Sequence, residues 1–209
     1  MSEQNNLPVQ LRFKSKSIIQ SCQRTLDATQ SLYVNNRDFL SLCADDRSTL
    51  VHGTFMHTAS ISSNFICYKI RLMDYPTYYD TIEIISSARI ASIARCFPAR
   101  LNFDMVVMKL LLAILSFSTF RYAVYPNTCP ANVSNVRKVL RIQDQYIELT
   151  WRYLLYKYDH QQAVKCFSEF IRCVLVINDG IIASQELQWF TSTIDSTSQK
   201  TVQSFFVNE

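Results

Sequence analysis

The residues of this chain best suited to chemistry are the carboxylates Asp45 and Asp46 with Arg47 beside them, three histidines and seven cysteines. Paired acids do acid–base work when both face one substrate. Neighbouring residues on a helix point about 100° apart, so Asp45 and Asp46 do not meet that condition. His52, His57 and His160 could ligate a metal, but positions 52 and 57 lack the three- or four-residue spacing that sets two ligands on one helix face. The cysteines, at 22, 43, 67, 96, 129, 166 and 173, are odd in number and include no C-x-x-C pair. That is neither a disulfide framework nor a zinc site. Most sit among apolar neighbours, as free buried thiols of an intracellular protein do. Neither G-x-S-x-G nor H-E-x-x-H occurs, and no Cys–His arrangement stands out. The residues therefore point to a binding protein rather than an enzyme, with no metal and no cofactor.

The elements that position these residues are helical. Gly53 and Gly180 are the only glycines, and strand-rich folds and phosphate-cradling loops both consume glycine. With 209 residues and 48% apolar content, the chain is long enough for one domain with a sizeable core. The net charge of +4 is spread along the sequence, which gives no footprint for direct nucleic-acid binding by this chain. The opening MSEQNNLPVQ has no apolar signal core, so export is not expected and the Asn132-Val133-Ser134 triplet is coincidental. The most apolar run, Met105 to Phe117, carries Lys109 and falls short of the roughly 20 residues a membrane span needs. It reads as a fully buried core helix.

Apolar spacing predicts a helix over Phe13 to Asn36, a second over Thr54 to Leu72 with a Ser- and Thr-rich middle, and a third over Ile82 to Arg95. MDYPTYYD between them is a loop or a short strand. The buried helix spans Asp104 to Phe117, and Ser134 is the expected N-cap of the next one. That helix carries the stripe Val136, Leu140, Ile147, Trp151, Leu154 and Tyr158. YDHQQ turns the chain into a long helix from Lys165 to Phe190, with Gly180 inside it. Phe167, Phe170, Ile171, Val174, Ile177 and Ile181 are its expected inward face. Three regions follow: a 1–12 extension, a 13–190 helical domain, and a loose polar tail at 191–209.

The junction RDFLSLCADDRSTLV, Arg37 to Val51, surrounds an acid–acid–base triplet with apolar residues. Phe39-x-x-Leu42-x-x-x-Asp46-Arg47-x-x-Leu50-Val51 resembles the ligand-binding-domain signature of nuclear receptors, F-x-x-L-x-x-x-D-Q-x-x-L-L. MKLLLAILSF (108–117) is similar to that family's central buried helix. VRKVLRIQDQYIELTWRYLLYKY followed by FSEFIRCVLVI is similar to its ninth and tenth helices, in the same order. The likeness covers roughly Ile18 to Phe190, and FDMVVM (103–108) resembles the invertebrate vitamin D receptor-like group.

The resemblance implies an all-α, three-layer antiparallel helical sandwich of the ligand-binding-domain type. In that family the signature joins the third and fourth helices; its apolar positions enter the core and its acid caps the helix that follows. A small lipophilic ligand would occupy a cavity lined by Ile18, Cys22, Leu26, Phe65, Ile66, Met108, Ile177 and Ile181, although any one of them taken singly suits plain core better. Coregulator proteins would dock on a groove around Val34, Phe39, Leu42, Asp46, Arg47, Leu50, Val51, His52 and Asn208. A homo- or heterodimer with another receptor would form through the long helix, with Cys173 and Val176 outward. The nucleus is the expected compartment, with the cytoplasm second, and no membrane partner is implied.

The departures carry consequences. The family's glutamine is Arg47 here. Its charge-clamp lysine falls on Val34, the basic residue at the far end of the groove on His52, and the activation-helix glutamate on Asn208. The arginine that anchors acidic ligands falls on Ile66, which favours a neutral sterol-like or fatty ligand over a carboxylate. The family's first helix and its zinc-finger DNA-binding domain have no counterpart in the sequence. A ligand-independent interaction or repressor module on the same fold is therefore the alternative, and a helical scaffold outside transcription is a third.

Overall fold

The computed structural model describes residues 20, 24–100, 102–118, 132–184 and 187–207, and every regular element among them is a helix. The 1–12 extension, Ile18, Cys22 and Asn208 lie outside the described residues. The chain is helical over 24–34 (α1), then forms α2 (Arg37–Leu40) and α3 (Ala44–Lys69). A single 3-10 turn, Leu72–Asp74, leads to α4 (Pro76–Ile85), α5 (Ala88–Ala94) and α6 (Met105–Ser116). α7 (Val136–Lys157), α8 (His160–Ser184) and α9 (Gln188–Val207) complete it.

The starts of α2, α5, α6 and α7 coincide with side chains that take up orphan backbone N–H groups, whereas α3 and α4 have no side-chain cap. Asn36 Oδ1 accepts from the N–H of Asp38 (2.9 Å) and of Phe39 (3.1 Å). Asp104 Oδ1 accepts from Val107 N–H at 2.8 Å, and Asn135 Oδ1 from Lys138 N–H at 3.0 Å. The cap of α7 is thus Asn135, one residue beyond the expected Ser134. Ser87, with extended backbone, takes the N–H of Ile90 at 3.3 Å. That cap divides the expected Ile82–Arg95 helix into α4 and α5. MDYPTYYD is neither loop nor strand throughout: Pro76, whose missing N–H costs nothing in a first helical turn, opens α4.

α3 begins ten residues earlier than its apolar spacing suggests and is the central element. From Thr54 to Ala59 every residue is buried, so the helix is enclosed on all sides. Its threonines survive there because their hydroxyls bond back within the helix, Thr54 to Leu50 C=O at 2.7 Å and Thr58 to Phe55 C=O at 3.0 Å. α6 is buried from Leu111 to its end, with Phe117 beyond it, but Met105, Val106 and Lys109 in its first turns are exposed, so the helix is not buried throughout as expected. α3 packs against α6, α8 and α9, α6 also against α7, and α5 against α4 and α8.

Two expectations fail in the C-terminal half. The long helix stops at Ser184, and the stretch expected to be a loose tail is α9, packed on α3. Ile194, Thr197, Ser198, Thr201 and Phe205 form its buried stripe. Thr197 and Thr201 donate to carbonyls one turn back, at 2.9 and 2.8 Å, so these polar residues bury without losing hydrogen bonds. On α7 the buried residues are Val139, Ile142, Thr150 and Leu154, while Val136 and Leu140 are exposed; only the C-terminal part of the expected stripe faces the core.

Candidate functional site: a clamped junction and a lateral cavity

The junction between α2 and α3 is closed by aromatic packing and by one carboxylate. Phe39 is fully buried, with ring centroids 5.1 Å from Tyr33, 5.6 Å from Phe117 and 5.9 Å from Phe205. Tyr33 is anchored in turn by Thr54 (3.0 Å) and Thr58 (2.7 Å), and burial pushes its hydroxyl pKa up to about 12. Leu42, Leu50 and Val51 are buried in the same cluster. Leu50 and Val51 therefore belong to the core, while Asp45 and His52 on the same turns of α3 are exposed.

Asp46 does not cap its own helix. Its Oδ1 accepts from Ser134 N–H (2.5 Å) and Ser134 Oγ–H (2.9 Å), and its Oδ2 from Asn135 N–H (3.2 Å). It therefore holds the lead-in to α7, far along the chain. Burial opposes its ionisation, but these hydrogen bonds outweigh that cost and keep the carboxyl below its ordinary pKa. Arg47 has a different task. Its Nη1 donates to Leu40 C=O at 3.3 Å, and its guanidinium lies 5.2 Å from the Phe205 ring centroid. Lys138 Nζ donates to Ser41 C=O, and Tyr146 OH to Asp38 at 2.8 Å. The triplet is thus divided: Asp46 grips α7, Arg47 grips α9, and Asp45 is exposed.

The remaining groove positions do not assemble a charge clamp among the described residues. Val34 is half-buried against the core, and His52 is exposed with its Nδ1 2.8 Å from the Ser48 carbonyl. His57 is buried, with its Nε2 3.5 Å from Asn178 Oδ1 on α8; burial lowers its pKa, and the Asn178 bond only partly opposes this. The expected dimer surface is also revised. Cys173 is fully buried, its thiol pKa pushed up to about 12 by burial, and Val176 is half-buried. Ile171, expected inward, is exposed. It joins Val164, Leu175 and Ile182 in an aliphatic stripe on the opposite side of α8. The cysteines are only partly the buried set expected, since Cys43 and Cys96 are exposed.

A cavity of about 180 Å³ lies where α1, α3, α4, α5 and α8 meet. Leu26, Ile177 and Ile181, all expected to line a ligand site, do so. Phe65 and Met108 are buried core residues outside its lining, and Ile66 is half-buried and also outside it. Sequence reasoning missed the outer wall, Ile82, Ile90 and Ile93 on α4 and α5, because the break at Ser86 and Ser87 was read as continuous helix. It also missed the polar end, Ser60, Ser63 and Asn64. Their signal was present: three polar residues at i, i+3 and i+4 share one face of α3, and that face turns inward. Among the described residues no Lys, Arg, His, Asp or Glu lines the cavity. Among the described residues no cluster of His, Cys, Asp or Glu could hold a metal ion, and no helix is long and apolar enough to cross a membrane. No protein-family model, curated protein or solved structure matches this chain.

Proposed function

We propose that this chain is a divergent ligand-binding domain of the nuclear receptor type, a helical sandwich that binds a small lipophilic molecule and acts on transcription through coregulator and receptor partners in the nucleus. The observation that carries the reading is the junction. The apolar positions of the signature-like run enter the core, as the resemblance implies, with Phe39 at the centre of an aromatic cluster, while Asp46 holds the backbone at Ser134 and Asn135 instead of capping its own helix. The lateral cavity supports ligand binding, and the absence of a cation among the described lining residues agrees with a neutral ligand. At about 180 Å³ the cavity is smaller than the roughly 300–1,000 Å³ of drug-sized sites, so a sterol would not be enclosed and a smaller ligand is favoured.

The ligand-independent alternative has its own observation: Phe205 is wedged between Phe39 and Arg47, which fixes α9 without any ligand. A transcriptional reporter separates the readings from each other and from a non-transcriptional scaffold. The chain is fused to an unrelated DNA-binding domain, and the cavity-filling variant Gly180→Leu is compared with wild type. Altered reporter output that the variant abolishes supports the ligand-binding reading. Output indifferent to the variant supports the ligand-independent module, and no effect of either fusion argues against a transcriptional role.

A further inference from the structure

We propose that the cavity selects a small neutral alcohol, whose hydroxyl is held by Asn64 and Ser60 at the polar end of an otherwise aliphatic pocket. This rests on the ligand-binding reading of the cavity and specifies the chemistry of its ligand. Asn64 Nδ2 donates to Ser60 C=O at 2.8 Å, which fixes the amide orientation, because a carbonyl can only accept. Asn64 Oδ1 is left as an acceptor with no partner among the described residues, and the Ser60 hydroxyl is likewise without one. Ser60 and Asn64 stand one turn apart on α3 and both line the cavity. The other hydroxyls at the site are engaged: Ser86 Oγ donates to Ile82 C=O at 2.5 Å and Ser184 Oγ to Ile181 C=O at 2.9 Å.

A ligand head group that both donates and accepts satisfies this pair; an alcohol donates to Asn64 Oδ1 and accepts from Ser60 Oγ–H. A carboxylate only accepts, meets no lining cation, and brings an uncompensated charge into an apolar site. An ammonium meets no anion among the described lining residues. The volume sets the size. A cavity of about 150 Å³ takes a benzene-sized guest and drug-sized ligands need about 300 Å³ or more, so this one suits a ligand of roughly ten non-hydrogen atoms.

The test is isothermal titration of the full chain with three ligands of matched size: 1-octanol, methyl heptyl ether and octanoate. It is repeated on Asn64→Leu and on the cavity-filling variants Gly180→Leu and Ile90→Trp, with folding of each checked by circular dichroism. A Cβ at position 180 meets Ile93 Cγ2 at 3.6 Å, an ordinary contact, and leucine is a better helix former than glycine. The expected result is octanol binding about three- to tenfold more tightly than the ether, the margin of one added hydrogen bond, and more tightly still than octanoate. Asn64→Leu should bring octanol to the level of the ether, and a folded filling variant should bind none of the three. Octanoate binding as tightly as octanol, or an octanol preference that survives Asn64→Leu, overturns the head-group inference and leaves the cavity reading intact. No binding of any ligand to the wild type overturns both.

Discussion

Asp46 and Phe39 carry the junction, and their side chains fail in different ways when removed. Asp46→Ala removes the buried carboxylate that accepts from two backbone N–H groups and a serine hydroxyl; these donors belong to exposed residues that water can reach, so the cost is about 1.5–3 kcal/mol, that of hydrogen bonds to a charged group. Phe39→Ala opens a void against three rings, at about 3–5 kcal/mol. Urea unfolding of the two variants measures both, and a loss below 0.5 kcal/mol for either would contradict the clamp, since exposed sites away from such features change stability by about that much. Two titrations should shape the pH dependence. His57 has a lowered pKa in the folded state, so its stabilising contribution is present above about pH 6.5, its unfolded value, and is lost as pH falls through its folded pKa. Asp46 and Asp104 also have lowered pKa values, Asp104 chiefly through the Lys157 hydrogen bond working against burial. Their contribution is present above about pH 4 and is lost only as pH falls through their lower folded values. Stability should therefore fall in two stages on acidification. His57→Gln should remove the upper stage and Asp46→Asn should weaken the lower; a single acid transition unaffected by either variant would contradict these assignments.

The helices bring such residues together, and how well each could be read from sequence depended on how its polar residues are used. α6 was legible as a core helix from the apolar run after Lys109, although its first turn, with Met105 and Val106, is exposed. The run from Phe39 to Val51 was legible as a core junction, but the target of Asp46 was not, since its contacts lie 88 and 89 residues away and no local pattern records them. α9 was misread because Ser and Thr signal loops unless their hydroxyls bond back to the helix carbonyls, as here. On α8 the apolar residues surround the helix, so periodicity did not say which side is covered. The exposed stripe Val164, Ile171, Leu175 and Ile182 is symmetric about Cys173, whose side chain points the opposite way. A two-fold antiparallel pairing would set Val164 of one copy on Ile182 of the other and Ile171 on Leu175. Sedimentation should show Ile171→Glu and Leu175→Glu folded but shifted to the monomer mass, whereas Cys173→Glu should unfold. A wild-type monomer at micromolar concentration would contradict homodimerisation through this stripe. At the other end of the molecule, Val34 supplies no cation for a docked peptide and Arg47 holds Phe205 on the junction. Fluorescence anisotropy should accordingly find LxxLL coactivator peptides bound at least about tenfold more weakly than micromolar, the loss expected when two helix-end contacts are missing. Micromolar or tighter binding would contradict this.

At the scale of the whole molecule, two buried helices, α3 and α6, separate a clamped end from a hollow one. At the clamped end α2, α7 and α9 are fastened by Asp46, Arg47 and Phe39. At the hollow end α4, α5 and α8 stand off from α3 around an uncharged cavity beside Gly180. Packed interiors leave few voids larger than a water molecule, and the cavity of about 180 Å³ between these helices is the observation on which the proposed ligand binding rests. With the junction clamped by the chain's own residues, the empty protein should stay folded, and a bound ligand should add stability by mass action. Native mass spectrometry of the purified protein, followed by identification of what denaturation releases, tests ligand binding most directly. The expected result is a neutral small molecule at one per chain in the wild type and none in folded Gly180→Leu; equal recovery from both proteins, or an empty wild type that takes up no neutral lipid on addition, would contradict it.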